Sequence, residues 1–196
     1  MSIGVVIIGR NEGERLSNCL QSLKSQLDDI TPMVYVDSGS TDQSCTVARE
    51  LGLEVIELDN SIPYTAARSR NTGFQWLAQN CTQVEYVQFI DGDCDLVEGW
   101  IDKAVVALAK DEKIAVVCGR RREKFPSVSR YNLLADMEWN TPIGEATFCG
   151  GDAMMRMTAL KAVNGYNISL ICGEEPEMCV RMRSQGWKIF RIDADM

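Results

Sequence analysis

A chain of 196 residues with 45% apolar and 24% charged side chains can bury one sizeable core and has the balance of an ordinary globular domain. Its formal net charge of −8 argues against a nucleic-acid partner, which needs a basic face. It contains no histidine, which removes any Ser–His or Cys–His nucleophile and any histidine-based metal centre, so carboxylates must carry whatever chemistry exists.

The pattern along the chain is strand, helix, strand, helix. Residues 3–9 (IGVVIIG) are a continuous apolar, β-branched run, as expected for a strand buried on both faces. Asn11 can cap the helix that follows, in which Leu16, Cys19, Leu20 and Leu23 recur at three- and four-residue steps. Residues 32–40 (PMVYVDSGS) form a second strand ending in turn-forming residues, 41–52 a helix with a glycine stop, and 53–58 a third strand. Residues 65–81 are helical in composition, and 85–90 form a fourth strand that runs into Asp91, Asp93 and Asp95. An amphipathic helix covers 98–111, with Trp100, Ile101, Ala104, Val105 and Leu108 on one face. The second half is less regular. A strand from 114 leads into the basic run Arg120, Arg121 and Arg122; 129–140 is helical, and 145–157 is a strand or a glycine-rich loop. Residues 159–167 form a short helix stopped by Gly165, and 173–193 a helix with Pro176 in its first turn, a stop at Gly186 and a closing strand.

Alternating strands and helices imply a single α/β domain with a mostly parallel central sheet flanked by helices, and in such sheets ligands gather beyond the carboxyl ends of the strands. Asp37 ends the second strand and Asp91 the fourth, so both belong to that edge. Asp91 and Asp93, two residues apart, share a side if the strand stays extended through them. Three aspartates at alternate positions repel one another and call for full solvation or a cation. The eight cysteines show no CxxC pair and read as reduced, almost all buried, small hydrophobes. No apolar run approaches the roughly 18–20 residues that span a bilayer, and the start lacks the features of a signal peptide. The expected location is the cytoplasm, with peripheral membrane association left open.

Six segments together resemble the family 2 glycosyltransferases, inverting enzymes of the GT-A fold that use nucleotide sugars. IIGRNEGERL resembles the opening strand and turn, VYVDSGSTDQS the VDDGSTDGS-type segment, and SRNTG the ARNxG segment. FIDGDCD resembles the DxD motif, GGDAMMRMTALKAVNGYN the acceptor-side loop and helix, and GEEPEMCVRMRSQGWKI the GEDxDLxxRxxxxGxxI segment. Each is weak alone; six in the family's order cover almost the whole chain.

The resemblance implies that a sugar moves from a nucleotide diphosphate, of UDP or GDP type, to a hydroxyl of a saccharide, lipid or other acceptor. Mn²⁺ or Mg²⁺ would neutralise the diphosphate. By the same resemblance Asp93 contacts the metal, Asp91 the ribose or the metal, and Asp37 the base. Asn11 and Glu12 line the nucleotide edge, and Arg70 approaches the base or phosphates, with a solvated helix arginine as the competing reading. Glu175 takes the place of the general base, one methylene longer than the usual aspartate. Gly151, Asp152 and Glu174 face the sugar and acceptor. Residues 1–112 form the nucleotide-binding half and 113–196 the acceptor and base half of one domain, 1–196. Relatives commonly continue into a segment whose histidine completes the metal site, so the expectation is that this sequence is a piece of a longer protein with impaired transfer. A nucleotidyltransferase and a catalytically silent nucleotide-binding domain are the alternatives; the former lacks its glycine- and lysine-containing segment here. A dinucleotide-dependent dehydrogenase is disfavoured by the missing GxGxxG.

Overall fold

The computed structural model describes residues 2–196. The apolar runs become strands: β1 (Ile3–Gly9), β2 (Met33–Asp37), β3 (Glu54–Glu57), β4 (Tyr86–Asp91) and β5 (Ile114–Arg120). The later part adds β6 (Gly144–Ala146), β7 (Ala153–Arg156) and β8 (Lys188–Asp195). All eight form one sheet in the order β3-β2-β1-β4-β7-β5-β8-β6. Antiparallel pairing reverses β7 against β4 and β5, and β6 against β8, while the other strands run one way. The sheet is therefore mostly parallel, as expected. Because β7 is inserted between β4 and β5, the two halves of the chain share one sheet.

Seven helices cover it: α1 (Glu14–Lys24), α2 (Ser44–Glu50), α3 (Ala66–Asn80), α4 (Trp100–Lys110), α5 (Arg130–Glu138), α6 (Met157–Ala162) and α7 (Glu174–Ser184). Side chains alternate across a strand, so β1 sends Val5 and Ile7 to one face and Val6 and Ile8 to the other. The first face packs against Leu16, Leu20 and Leu23 of α1 and Trp100, Ala104 and Leu108 of α4. The second packs against Phe74 and Leu77 of α3, Leu160 of α6 and Met178 and Met182 of α7. Among the described residues no helix is long and apolar enough to cross a membrane.

Three expectations change. Asn11 does not cap α1: the cap position is Gly13, and Asn11 itself is left-handed at φ 57°. Its side-chain oxygen instead accepts the Thr41 N–H at 2.7 Å, tying the β1 turn to the β2 turn. Helix α2 starts at Ser44 and not at residue 41, because the Asp42 carboxylate turns the chain there by accepting from Ser44 N–H and from Gly13 N–H. All eight cysteines are free, but only five are buried; Cys45 and Cys94 are half-buried and Cys172 is exposed.

Helix α3 carries the site and lies close on the sheet at Gly73, where a Cβ would come within 2.4 Å of a Val6 methyl and 3.2 Å of one of Val36. Alanine in a helix normally gains up to about 1 kcal/mol over glycine. Here the stiff β-branched neighbours in a close-packed core make overpacking the larger effect. Gly73→Ala is expected to lower stability by about 2 kcal/mol, read as a lower denaturant midpoint at unchanged m-value; a raised midpoint would refute this packing.

Candidate active site

Strand register brings the first pieces together. Gly9 pairs with Asp37 and Ile8 with Asp91, so β1, β2 and β4 end at one level. Beyond these ends lies a crevice of about 300 Å³ bounded by Gly9, Glu12, Ser38, Tyr64, Ser69, Asp91 and Asp93. Asp91 and Asp93 do not share a strand face, because β4 stops at Asp91 and a turn follows, closed by the Cys94 N–H on the Asp91 carbonyl at 3.0 Å. The turn, not strand alternation, brings both carboxylates to the crevice. A second cavity of about 600 Å³ opens on the other side of Asp93, walled by Leu96, Phe125 and Trp139 with Arg15, Arg121 and Lys124.

Asp91 is the hub of an acidic group. Its Oδ1 accepts from Arg70 Nη2 at 2.8 Å, and its Oδ2 lies 3.4 Å from Arg121 Nη2. Arg70 also reaches Glu174 at 2.8 Å and Glu175 at 2.9 Å, both in the first turn of α7, where the helix dipole favours acids. Its side chain is 4% exposed, so it is neither a solvated helix arginine nor open to a phosphate. Gly151 permits this approach: a Cβ there would meet Arg70 Nη2 at 2.4 Å.

Asp152 is buried beside the hub, where its Oδ1 accepts the Asp91 N–H at 2.9 Å and its Oδ2 lies 3.1 Å from Arg121. Burial, then the charge of Asp91, pushes the Asp152 carboxyl up to about 6, against the pull of Arg121. Burial also raises Glu175, opposed by Arg70. Residues Arg120, Arg121 and Arg122, at and just beyond the end of β5, divide between two sets of partners. Arg120 and Arg122 pair with Asp136 of α5, while Arg121 turns to Asp91 and Asp152 and stacks 5.2 Å over Trp139.

Other expected residues are placed differently. Asp37 is 1% exposed, and its two oxygens accept from Tyr35 Oη, Ser40 Oγ, Gly39 N–H and Ser40 N–H. Its acceptor positions are filled within its own turn, and Ser38 faces the crevice in its place. Glu12 lines the crevice and accepts from the Arg10 N–H, with Arg15 at 2.8 Å. Asn11 lies at the edge, held by Thr41. Asp95 leaves the group to pair with Lys124. The sequence reading did not single out Ser38, Ser69 or Tyr64, which line the crevice, and gave Arg121 no place of its own. Ser69 directly precedes Arg70 in SRNTG, and Tyr64 directly precedes the Thr65 that caps α3, so their neighbours marked them.

Asp91, Asp93 and Cys94 could present one ligand atom each within 4.8 Å of one another. Burial raises the Cys94 thiol well above its ordinary range, and it contacts Arg121 Nη2 at 2.8 Å, so the donors suited to a cation are carboxylate oxygens. Asp93, with a side chain 45% exposed, is the accessible one. The residues present thus fit a hard divalent cation.

The mostly parallel sheet and its flanking helices have the GT-A fold of solved glycosyltransferases. The glycosyl transferase family 2 model matches residues 4–163, and the chain belongs to that family. A model described as the N-terminal domain of galactosyltransferase matches residues 133–196. The chain is 26% identical to the succinoglycan biosynthesis protein ExoA of Rhizobium meliloti, over 96% of this chain and 60% of that protein. The structure of S. aureus TarS 1–349 in complex with UDP-GlcNAc superposes with a TM-score of 0.75 at 16% identity, covering all of this chain and 59% of that one. The Pyrobaculum calidifontis mannosyltransferase PcManGT, in complex with GDP-Man and Mn²⁺, gives a TM-score of 0.71 at 20% identity, covering 97% and 54%. The chain thus spans less than two thirds of the length of the curated relatives it matches.

The raised Asp152 carboxyl has a testable sign. Between its ordinary value of 3.8 and about 6 the folded chain holds a proton that the unfolded chain has lost. That contribution to stability is present below the lower value and is lost as pH rises through the upper one. The stability advantage of wild type over Asp152→Asn should therefore shrink by on the order of 3 kcal/mol between pH 4 and pH 7. Urea denaturation without divalent metal reads it; a difference independent of pH would mean that the carboxyl is not raised.

Proposed function

We propose that this chain is the catalytic domain of an inverting glycosyltransferase that moves a sugar, of hexose type, from a UDP- or GDP-linked donor to an acceptor hydroxyl. The observation that carries the reading is the excess of carboxylates gathered around Asp91 at the end of the crevice. Asp91, Asp152, Glu174 and Glu175 share two guanidiniums, those of Arg70 and Arg121, and Asp93 meets only the exposed Arg15 at 3.9 Å. Such a surface does not suit a bare diphosphate, but it suits a diphosphate that arrives with a divalent cation. Mn²⁺ or Mg²⁺ would be held by Asp93 and Asp91 and, when bound, would offset charge developing on the leaving diphosphate.

Under this reading the chain's own groups divide the work. Ser38, Ser69 and Glu12 line the space for the nucleoside, with Asn11 and Asp37 fixing the two adjoining turns from outside it. Gly151 lets the loop before β7 approach Asp91 closely, and Asp152 and Glu174 bound the sugar and acceptor side. Glu175, at the start of α7, accepts the proton of the acceptor hydroxyl as it attacks the face opposite the leaving group. A buried carboxyl whose pKa is raised is a stronger base than a solvated one, which suits that task. The acceptor is a saccharide, a lipid or another hydroxyl compound. The family's shared fold and the nucleotide-sugar complexes of TarS and PcManGT support the donor class.

Calorimetric titration of UDP and GDP, each with and without Mn²⁺, tests the donor site. One nucleotide should bind in a metal-dependent way, and Asp93→Ala should abolish that dependence; metal-independent binding unchanged in the variant would refute the assignment. For the base, Glu175→Gln is expected to keep nucleotide affinity and lose about 10²–10⁴ in turnover, measured as transfer or donor hydrolysis. Retained turnover would remove Glu175 from the chemistry.

A further inference from the structure

We infer that Arg70 is a positioning residue, a clamp that holds the donor-side carboxylate Asp91 and the base-side carboxylate Glu175 at a fixed separation. The inference rests on the reading above for the role of Glu175, while its geometry stands independently. Arg70 sits in α3, yet its guanidinium joins the end of β4 to the start of α7, a contact that spans 104 residues of sequence. Nη2 serves Asp91, and Nη1 serves Glu174 and Glu175, so a single planar group faces both sides of the site. Among the described residues no other basic side chain lies within ion-pair distance of Glu174 or Glu175.

The surroundings are built around this clamp. Successive residues of a helix point about 100° apart, and three in a row on α3 reach different parts of the site. Ser69 lines the crevice, Arg70 reaches the acids, and Asn71 clasps the backbone of Tyr166, donating to its C=O at 2.7 Å and accepting its N–H at 2.8 Å. Tyr166 places its ring 5.9 Å from the Arg70 guanidinium and leads the chain toward α7. Gly151 leaves the space that the fork occupies. Stability alone is a poor explanation for such an arrangement, since buried ion pairs are commonly matched or exceeded by well-packed apolar groups. What apolar packing cannot supply is a fixed orientation of two carboxylates.

Two substitutions in the full chain test the clamp from opposite sides. Arg70→Lys keeps the charge but loses the fork; Gly151→Ala keeps the arginine and pushes its Nη2 out of place. Both should lower turnover about 100-fold, a larger loss than any they cause in the affinity for UDP or GDP with Mn²⁺. In both, the acid limb of the pH–rate profile should move to higher pH, because the cation that remains is displaced from its ion-pair position on Glu175 and favours its charged form less. Amide exchange should quicken in residues 166–178 and stay unchanged in β1 and β2. If Arg70→Lys does not fold, Gly151→Ala carries the comparison. Equal losses of affinity and turnover with an unmoved acid limb would overturn the clamp in favour of a role in folding alone. A wild-type chain that transfers and hydrolyses no UDP- or GDP-sugar would count against the proposed function only. The exchange data then decide on Arg70, and unaltered protection of residues 166–178 in both variants would overturn the clamp.

Discussion

Charge taken out of water has to be matched, and at the carboxyl edge of this sheet the match is made by two guanidiniums among four buried or half-buried carboxylates. An ion pair at about 4 Å near a protein surface is worth about 4 kcal/mol before desolvation is subtracted, and removing one partner of a buried pair costs about 3–5 kcal/mol. Arg70 therefore dictates where Asp91, Glu174 and Glu175 sit, and Arg121 does the same for Asp91 and Asp152. The chain tolerates the remaining imbalance in two ways. Asp152 holds its proton to about pH 6, and Asp93 stays in water. Both are provisional solutions, and both leave the crevice attractive to a cation. The same imbalance explains why the motif glycine at 151 matters: it gives Arg70 room to reach its acids.

The parts of this arrangement that could be read from sequence are those recorded locally. Residues 3–9 and 85–90 announce strands because burial on both faces requires unbroken apolar runs, and 98–111 announces a helix because one face alone is buried. The acids at 91 and 93 are legible as residue types at a spacing, but a turn at Gly92, not an extended strand, sets their proximity. Strands β6 and β7 have three and four residues, too few for a period to show. Arg70 could not be placed from its neighbours, since its partners lie 21 and 104 residues away. Arg121 lies just past the end of β5, where no strand period fixes its direction, and its partners Asp91 and Asp152 are 30 and 31 residues away. Asp37 illustrates the opposite case, a residue whose functional reading competes with ordinary turn chemistry, and whose oxygens the turn has taken.

The insertion of β7 between β4 and β5 has a consequence for how the chain is made. Strand β4 is complete at residue 91, with β1 on one side, but its other neighbour is not synthesised until residues 153–156. While the intervening sixty or so residues leave the ribosome, Tyr86, Val87 and Phe89 present an open apolar edge, the kind of surface that pairs with a stranger when nothing covers it. Residues 1–112 hold the crevice beyond β1, β2 and β4 and have the outline of a portable unit. Expressed alone, they would carry that uncovered edge permanently, so the natural place to cut this protein lies nowhere before β7.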